Sequence, residues 1–177
     1  MNTIKTRNDL LNLIPKNAII AEIGVFRGEF AKEIIQVTQP KNLYLVDIWQ
    51  GSWGSGDKDG NNYIKIDNME EIYLQLFHQV KNKPNIHIVR SSSHNFLNSC
   101  SENYFDAVYV DGDHTEEAVY QDMLDSFRVV KSGGLLMGHD YHHQIKIAVD
   151  RFCINFNQKI KIVTDDGCPS FLIEIVK

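Results

Sequence analysis

"NAIIAEIGVFRGEFAKEII", residues 17–35, opens as an unbroken apolar run, passes through two glycines and closes on a helical stripe. Residues 17–24 read as a strand buried on both faces, because a short continuous run rich in isoleucine suits the interior of a parallel sheet. Beyond the glycines, Phe30, Ala31, Ile34 and Ile35 fall on one face of a helix. A buried strand feeding an amphipathic helix is the opening half of a βαβ unit, and the rest of the chain repeats it.

Further strands are expected at "NLYLVDI" (42–48), "NIHIVR" (85–90), "YFDAVYV" (104–110) and "LLMG" (135–138). A helix after Asp67, a plausible N-cap with Glu70 behind it, carries Met69, Ile72, Tyr73, Leu76 and Val80 on one face. Another carries Val119, Met123, Phe127 and Val130 and is expected to end at "KSGG", where Gly133 and Gly134 supply a left-handed cap. Val149, Phe152, Cys153 and Phe156 mark a last helix. "KIKIVT" (159–164) and "SFLIEIV" (170–176) then bracket the turn "DDGCP" as an antiparallel pair. Residues 6–14 supply one short helix at most. This order predicts an α/β fold with a mostly parallel sheet, in a single domain spanning residues 1–177.

Composition narrows the function. The chain has 177 residues, enough to bury a core without disulfides, and its 43% apolar and 23% charged residues are globular in proportion. No apolar run approaches the roughly 18 residues of a membrane span. The N-terminal stretch lacks the apolar core of a secretory signal, and Cys100, Cys153 and Cys168 form no CxxC pair, so reduced thiols in the cytoplasm are expected. A net charge of −5 without a basic block disfavours nucleic acid as a partner. A small-molecule acceptor is expected; homo-oligomerisation stays open.

In open α/β sheets ligands sit at the carboxyl ends of the strands. Each such end here carries polar residues or glycine: "EIGVFRG" (22–28), "VDIW" (46–49), "VRSSS" (89–93), "VDGDH" (110–114) and "GHDYHH" (138–143). Glu22, Gly24 and Gly28 form E-x-G-x-x-x-G at a strand-to-helix turn. Phe26 stands where a dinucleotide fingerprint needs its second glycine. Asp47, about 20 residues on, is placed either to accept bonds from ribose hydroxyls or to cap a turn. "WQGSWGSGDKDGNNY" (49–63) reads as a surface loop or a flap, with Trp49, Trp53 and Tyr63 either stacking on a planar acceptor or simply exposed.

"EIGVFRGEFAKEII", "LYLVDIW", "VRSSSHNFL", "YFDAVYVDGDHTEEAVYQDM" and "VVKSGGLLMGHDY" together resemble class I S-adenosylmethionine-dependent methyltransferases. The group they are most similar to is the small O-methyltransferases with a D-G-x-H-T motif, which includes metal-dependent sugar and macrolide O-methyltransferases. The resemblance implies a Rossmann-like three-layer sandwich whose seven-stranded, mostly parallel sheet has only its last strand antiparallel. It implies S-adenosyl-L-methionine as cofactor, with Glu22, Gly24 and Gly28 at its methionine part and Asp47 at its ribose. Ser92 and Ser93, together with Asp111, complete the cofactor side. "VRSSS" departs from the Gly-Asp-Ser usual there, so an acidic contact to adenine is replaced by hydroxyls.

The same resemblance gives the cluster at residues 111–114 a role. Asp111 and Asp140 would lie side by side as two hard oxygen ligands for Mg²⁺, and His114 would be general base to an acceptor hydroxyl, with Asp111 also in the catalytic set. Asp113 reads better as a cap for the helix beginning near Thr115. His139, His142 and His143 read as solvated or facing substrate. Tyr141 stands where metal-dependent catechol-type relatives carry Asn. The readings left open are a Rossmann oxidoreductase binding NAD(P) and a cofactor-binding module without activity.

Overall fold

The computed structural model describes residues 2–50 and 68–177. Among them eight strands form one sheet: β1 (Asn2–Ile4), β2 (Ile19–Ile23), β3 (Asn42–Asp47), β4 (Ile86–Arg90), β5 (Phe105–Val110), β6 (Val130–Gly138), β7 (Ile160–Thr164) and β8 (Phe171–Glu174). Their order is β1-β7-β8-β6-β5-β2-β3-β4, and β8 alone runs against its neighbours β6 and β7. The seven expected strands are present in the expected sense. The eighth, β1, was not anticipated, because three residues carry too little pattern to be read; it adds in parallel to the edge of β7.

Among the described residues six helices cover the sheet: α1 (Arg7–Leu11), α2 (Glu29–Thr38), α3 (Met69–Val80), α4 (Ser93–Ser99), α5 (Glu116–Val129) and α6 (His143–Asn155). Leu10, Leu11, Phe30, Ile34, Ile72 and Leu76, from α1 to α3, pack on one face of the sheet. Phe96, Leu97, Val119, Met123, Val149 and Phe152, from α4 to α6, pack on the other. These two apolar layers give the three-layer sandwich, each fully buried large side chain adding about 1.5–3 kcal/mol. None of these helices is long and apolar enough to cross a membrane.

Local details differ from the expected ones where tertiary pairing wins. The α5 helix stops at Val129, and Val130 already belongs to β6, so "KSGG" is not a helix cap. Instead the register jumps from Phe105↔Val130 to Ala107↔Leu135, and the extra residues bulge out. Gly133 is left-handed as expected (φ +78), but within that bulge, where its N–H donates to Ile175 O. The α3 cap is Asn68, whose side chain accepts from Glu71 N–H; Asp67 lies outside the described residues. The sheet reverses order at β2, which has β3 on one side and β5 on the other. The crevice beyond the ends of β2 and β5 is therefore the place for a ligand.

Candidate active site

The first strand end is built by backbone contacts. Gly24 is left-handed (φ +83), and a Cβ there would come within 2.0 Å of Asp111 O, so only glycine lets the β2 and β5 loops approach each other. Sequence reasoning gave this glycine to the ligand; its first demand is the neighbouring loop. Gly28, also left-handed (φ +72), precedes α2 as its N-cap. Phe26 and Trp49 adopt positive φ as well, a cost of about 1–3 kcal/mol each that the surroundings must hold in place.

Asp47 ties these two turns together. One carboxylate oxygen accepts from Phe26 N–H at 2.8 Å and the other from Trp49 N–H at 2.9 Å. The capping alternative is thus real, and each oxygen keeps a second acceptor direction for a ligand. Trp49 is 1% exposed, and its indole N–H donates to Phe26 O at 2.9 Å. It is locked beneath the first turn, which removes it as a stacking surface for an acceptor. Trp53 and Tyr63 lie outside the described residues.

Glu22 is 2% exposed, and its Oε2 is buried without a hydrogen-bond partner among the described residues. Burial, and then the charge of Asp111, push its carboxyl well above the ordinary value. An orphaned buried carboxyl oxygen at the mouth of the crevice fits a ligand that brings a donor, such as the ammonium of an amino acid. At the end of β4, the Ser92 hydroxyl caps α4 by accepting from Asn95 N–H at 3.2 Å, and Ser93 hydrogen-bonds Asp122. Both serines are occupied locally.

The ends of β5 and β6 carry the titratable cluster. His114 stands between two carboxylates, its Nε2 3.6 Å from Asp111 Oδ1 and its Nδ1 3.5 Å from Asp140 Oδ2. His139 Nδ1 does the same, at 3.6 Å from Asp111 and 3.4 Å from Asp140. Burial pushes the Asp111 carboxyl up, but hydrogen bonds with His114 and His139 outweigh it and hold it below its ordinary value. The Asp111 bond in turn raises His114 against the opposing effect of burial. Asp113 accepts from Thr115 N–H at 2.8 Å in a turn just ahead of α5; the N-cap itself is Thr115, so Asp113 steadies the approach to the helix rather than capping it.

Four residues that sequence reasoning did not select reach this cluster. Besides His139 and His142, the latter 3.5 Å from Asp140, Arg7 lies 3.8 Å from Asp111 and stacks 4.4 Å over the Phe30 ring. Cys168, from the β7–β8 turn, lies with Asp140 and His142 in a set whose ligand atoms are within 4.8 Å of one another. Only His139 and His142 carried a local signal, through their places beside Asp140 at a strand end. Arg7 and Cys168 arrive by long-range folding. As a cation site, Asp111, His139 and Asp140 also cluster within 4.8 Å. Two carboxylates and an imidazole fit a divalent ion, though the nitrogen favours Mn²⁺, Fe²⁺ or Zn²⁺ over Mg²⁺, which prefers oxygen throughout.

The profile of a family described as a methyltransferase domain matches residues 21–141, which include the ends of β2 to β6. The chain belongs to the class I S-adenosylmethionine-dependent methyltransferases. Solved structures share the fold of this methyltransferase at low identity. SMU.1697c of Streptococcus mutans, in complex with SAH, superposes with TM-score 0.66 at 13% identity, covering 94% of each chain. An rRNA methylase of Streptococcus thermophilus gives 0.65 at 12%, covering 96% of this chain and 94% of its own. The N-methyltransferase NodS of Bradyrhizobium japonicum gives 0.64 at 11%, covering 97% and 95%. No curated protein sequence matches.

Proposed function

We propose that this methyltransferase transfers the methyl group to a hydroxyl of a small molecule of sugar or phenolic type, with His114 as general base. The observation that carries the reading is the seating of His114 between Asp111 and Asp140 at the ends of neighbouring strands. A cation forming on that imidazole is stabilised by both carboxylates, which suits a group that must accept a proton as a bond forms to oxygen. The negative overall charge supports a small acceptor over a nucleic acid.

The cofactor supplies an electrophilic methyl group on a sulfonium. On the protein side, Glu22 would receive the amino group of its methionine part, and the spare acceptor directions of Asp47 the ribose hydroxyls. Gly24 and Gly28 would shape the loop around it, and Ser92 and Ser93 would line its far end. The acceptor hydroxyl would give its proton to His114 as its oxygen takes the methyl, and the sulfur keeps the electron pair of the broken C–S bond. Asp111 and Asp140, with His139, are the residues that would hold a divalent ion, which would make the hydroxyl easier to deprotonate.

The test is calorimetric titration with S-adenosylhomocysteine, using NAD(H) as comparison, followed by methyl transfer to hydroxylated sugars and phenols with and without chelator. The reading expects binding of S-adenosylhomocysteine alone and turnover on a hydroxyl acceptor. Binding without turnover on any such acceptor would return the chain to the inactive-module reading. Full activity in excess chelator would remove the ion.

A further inference from the structure

Asp140 takes part in two groups of metal-ligating atoms. One is the inner group with Asp111 and His139; the other lies outward, where Asp140, His142 and Cys168 bring a carboxylate, an imidazole and a thiol within 4.8 Å of one another. We infer that Asp140, His142 and Cys168 form a binding site for a thiophilic divalent cation of the Zn²⁺ class at the outer rim of the β6 end.

Two segments remote in sequence, the β6–α6 connection and the β7–β8 turn, converge to make this set, and backbone bonds fix them. Asp140 follows β6 in a left-handed conformation (φ +54), and His142 N–H turns back to donate to Asp140 O at 2.5 Å. The β7–β8 turn is pinned to the same place, since Tyr141 N–H donates to Pro169 O at 2.7 Å, one residue from Cys168. Within the turn, Ser170 N–H donates to Thr164 Oγ1 at 2.7 Å and Thr164 N–H to Ser170 O at 2.9 Å. The thiol is therefore held opposite the other two donors by main-chain contacts rather than by its own packing.

Asp140 already accepts a hydrogen bond from the Cys168 thiol, whereas the imidazole of His142 is poorly satisfied. His142 Nε2 is 3.5 Å from Asp140 Oδ1, too long for a strong hydrogen bond, and its Nδ1 is buried with no hydrogen-bond partner among the described residues. Cys168 is exposed, Asp140 is 14% exposed at its side chain and His142 42%, so the group opens to solvent on one side. Three protein donors with an open fourth position is the arrangement of catalytic rather than structural zinc sites. A thiolate beside an imidazole selects Zn²⁺, Co²⁺ or a similar ion and is poor for Mg²⁺. The inference rests on this donor set and not on the proposed reaction. If both hold, the two assignments meet at Asp140, whose other oxygen lies 3.5 Å from His114 Nδ1.

Cobalt titration of the chelator-treated full chain tests it without needing turnover. A thiolate-to-cobalt charge-transfer band should grow to saturation in the near ultraviolet, disappear on adding Zn²⁺ and persist in excess Mg²⁺. Cys168→Ser should remove the band, and His142→Ala should weaken cobalt binding by more than the roughly 10–100-fold that losing a second-shell partner costs. Cys168 is exposed, so its replacement by serine leaves the core untouched. No band in the unaltered chain would overturn the site. A band kept by Cys168→Ser would place the ion on Cys100 or Cys153 and overturn it equally, and unchanged affinity in His142→Ala would reduce it to a lone thiol. Titration with S-adenosylhomocysteine on the same samples separates this inference from the proposed function: intact cofactor binding without the cobalt band sinks the site alone.

Discussion

The two halves of the strand-end crevice are built by opposite means. Around β2 and β3 the turns are locked by backbone: Asp47 grips Phe26 and Trp49 N–H groups, Trp49 returns a bond to Phe26 O, and Gly24 lies against the Asp111 main chain. Around β5 and β6 the contacts are between side chains, half-exposed and at 3.4–3.6 Å, with three histidines converging on two carboxylates. A rigid, desolvated cradle suits a cofactor common to a whole family. A looser set of titratable groups suits chemistry on an acceptor that differs from one member to the next.

The largest effect should come from the seam between the halves. Gly24→Ala places a methyl on the Asp111 carbonyl in a left-handed conformation, so a loss of about 2–5 kcal/mol is expected from strain and overpacking. Thermal unfolding should show it as a midpoint lower by roughly 5–20 °C for a chain of this size. A stable Gly24→Ala protein that still binds S-adenosylhomocysteine would mean the two halves do not depend on each other.

Beneath the second half, Asp122 is 5% exposed, and burial pushes its carboxyl up to about 6. Because the folded value exceeds the unfolded one, the folded chain binds the extra proton between about pH 4 and pH 6, and stability falls as pH rises through that window. Asp122→Asn should therefore gain up to about 3 kcal/mol at pH 8 and little at pH 4. Urea unfolding at the two pH values reads this directly, and an equal effect at both would show that Asp122 is not a buried charge.

In the first half, burial raises the Glu22 carboxyl well above its ordinary value, and an ammonium paired with it would lower it again. Cofactor binding should release up to one proton and strengthen with rising pH, by at most about tenfold per pH unit. Calorimetry in two buffers of different ionisation enthalpy measures the release; Glu22→Gln should abolish it. Equal heats in both buffers would place the methionine amino group elsewhere. The smallest effect belongs to Ser92→Ala, which removes the α4 cap and costs about 0.5–2 kcal/mol. Unchanged affinity for S-adenosylhomocysteine would make Ser92 structural only, whereas a tenfold loss would assign its hydroxyl to the cofactor.

What could be read in the sequence divides along the same line. The cradle is local: Glu22, Gly24, Gly28 and Asp47 span 26 residues, and strand period with turn glycines sufficed to place them together. Its finer geometry was less legible, since no pattern announces that Trp49 packs into the apolar layer with its indole N–H on Phe26 O. Asp111, His114 and Asp140 could be paired because neighbouring parallel strands end level. Arg7 and Cys168 could not, because one arrives with the N-terminal segment and the other with the closing hairpin, on contacts that span more than 100 residues of chain in the case of Arg7 and Asp111. The bulge in β6 escaped for a related reason: helix-cap glycines and bulge glycines share the same left-handed conformation, and only the register against β5 distinguishes them.

The claim that binding and chemistry reside in different halves is tested most directly by single-turnover methyl transfer in His114→Ala, with S-adenosylhomocysteine affinity measured on the same protein. Affinity within about twofold of the unaltered chain, with transfer slowed by about 10²–10⁴-fold, is the expected pair of results. Unimpaired transfer by His114→Ala would contradict the account, because the side chain between Asp111 and Asp140 would then take no proton from the acceptor.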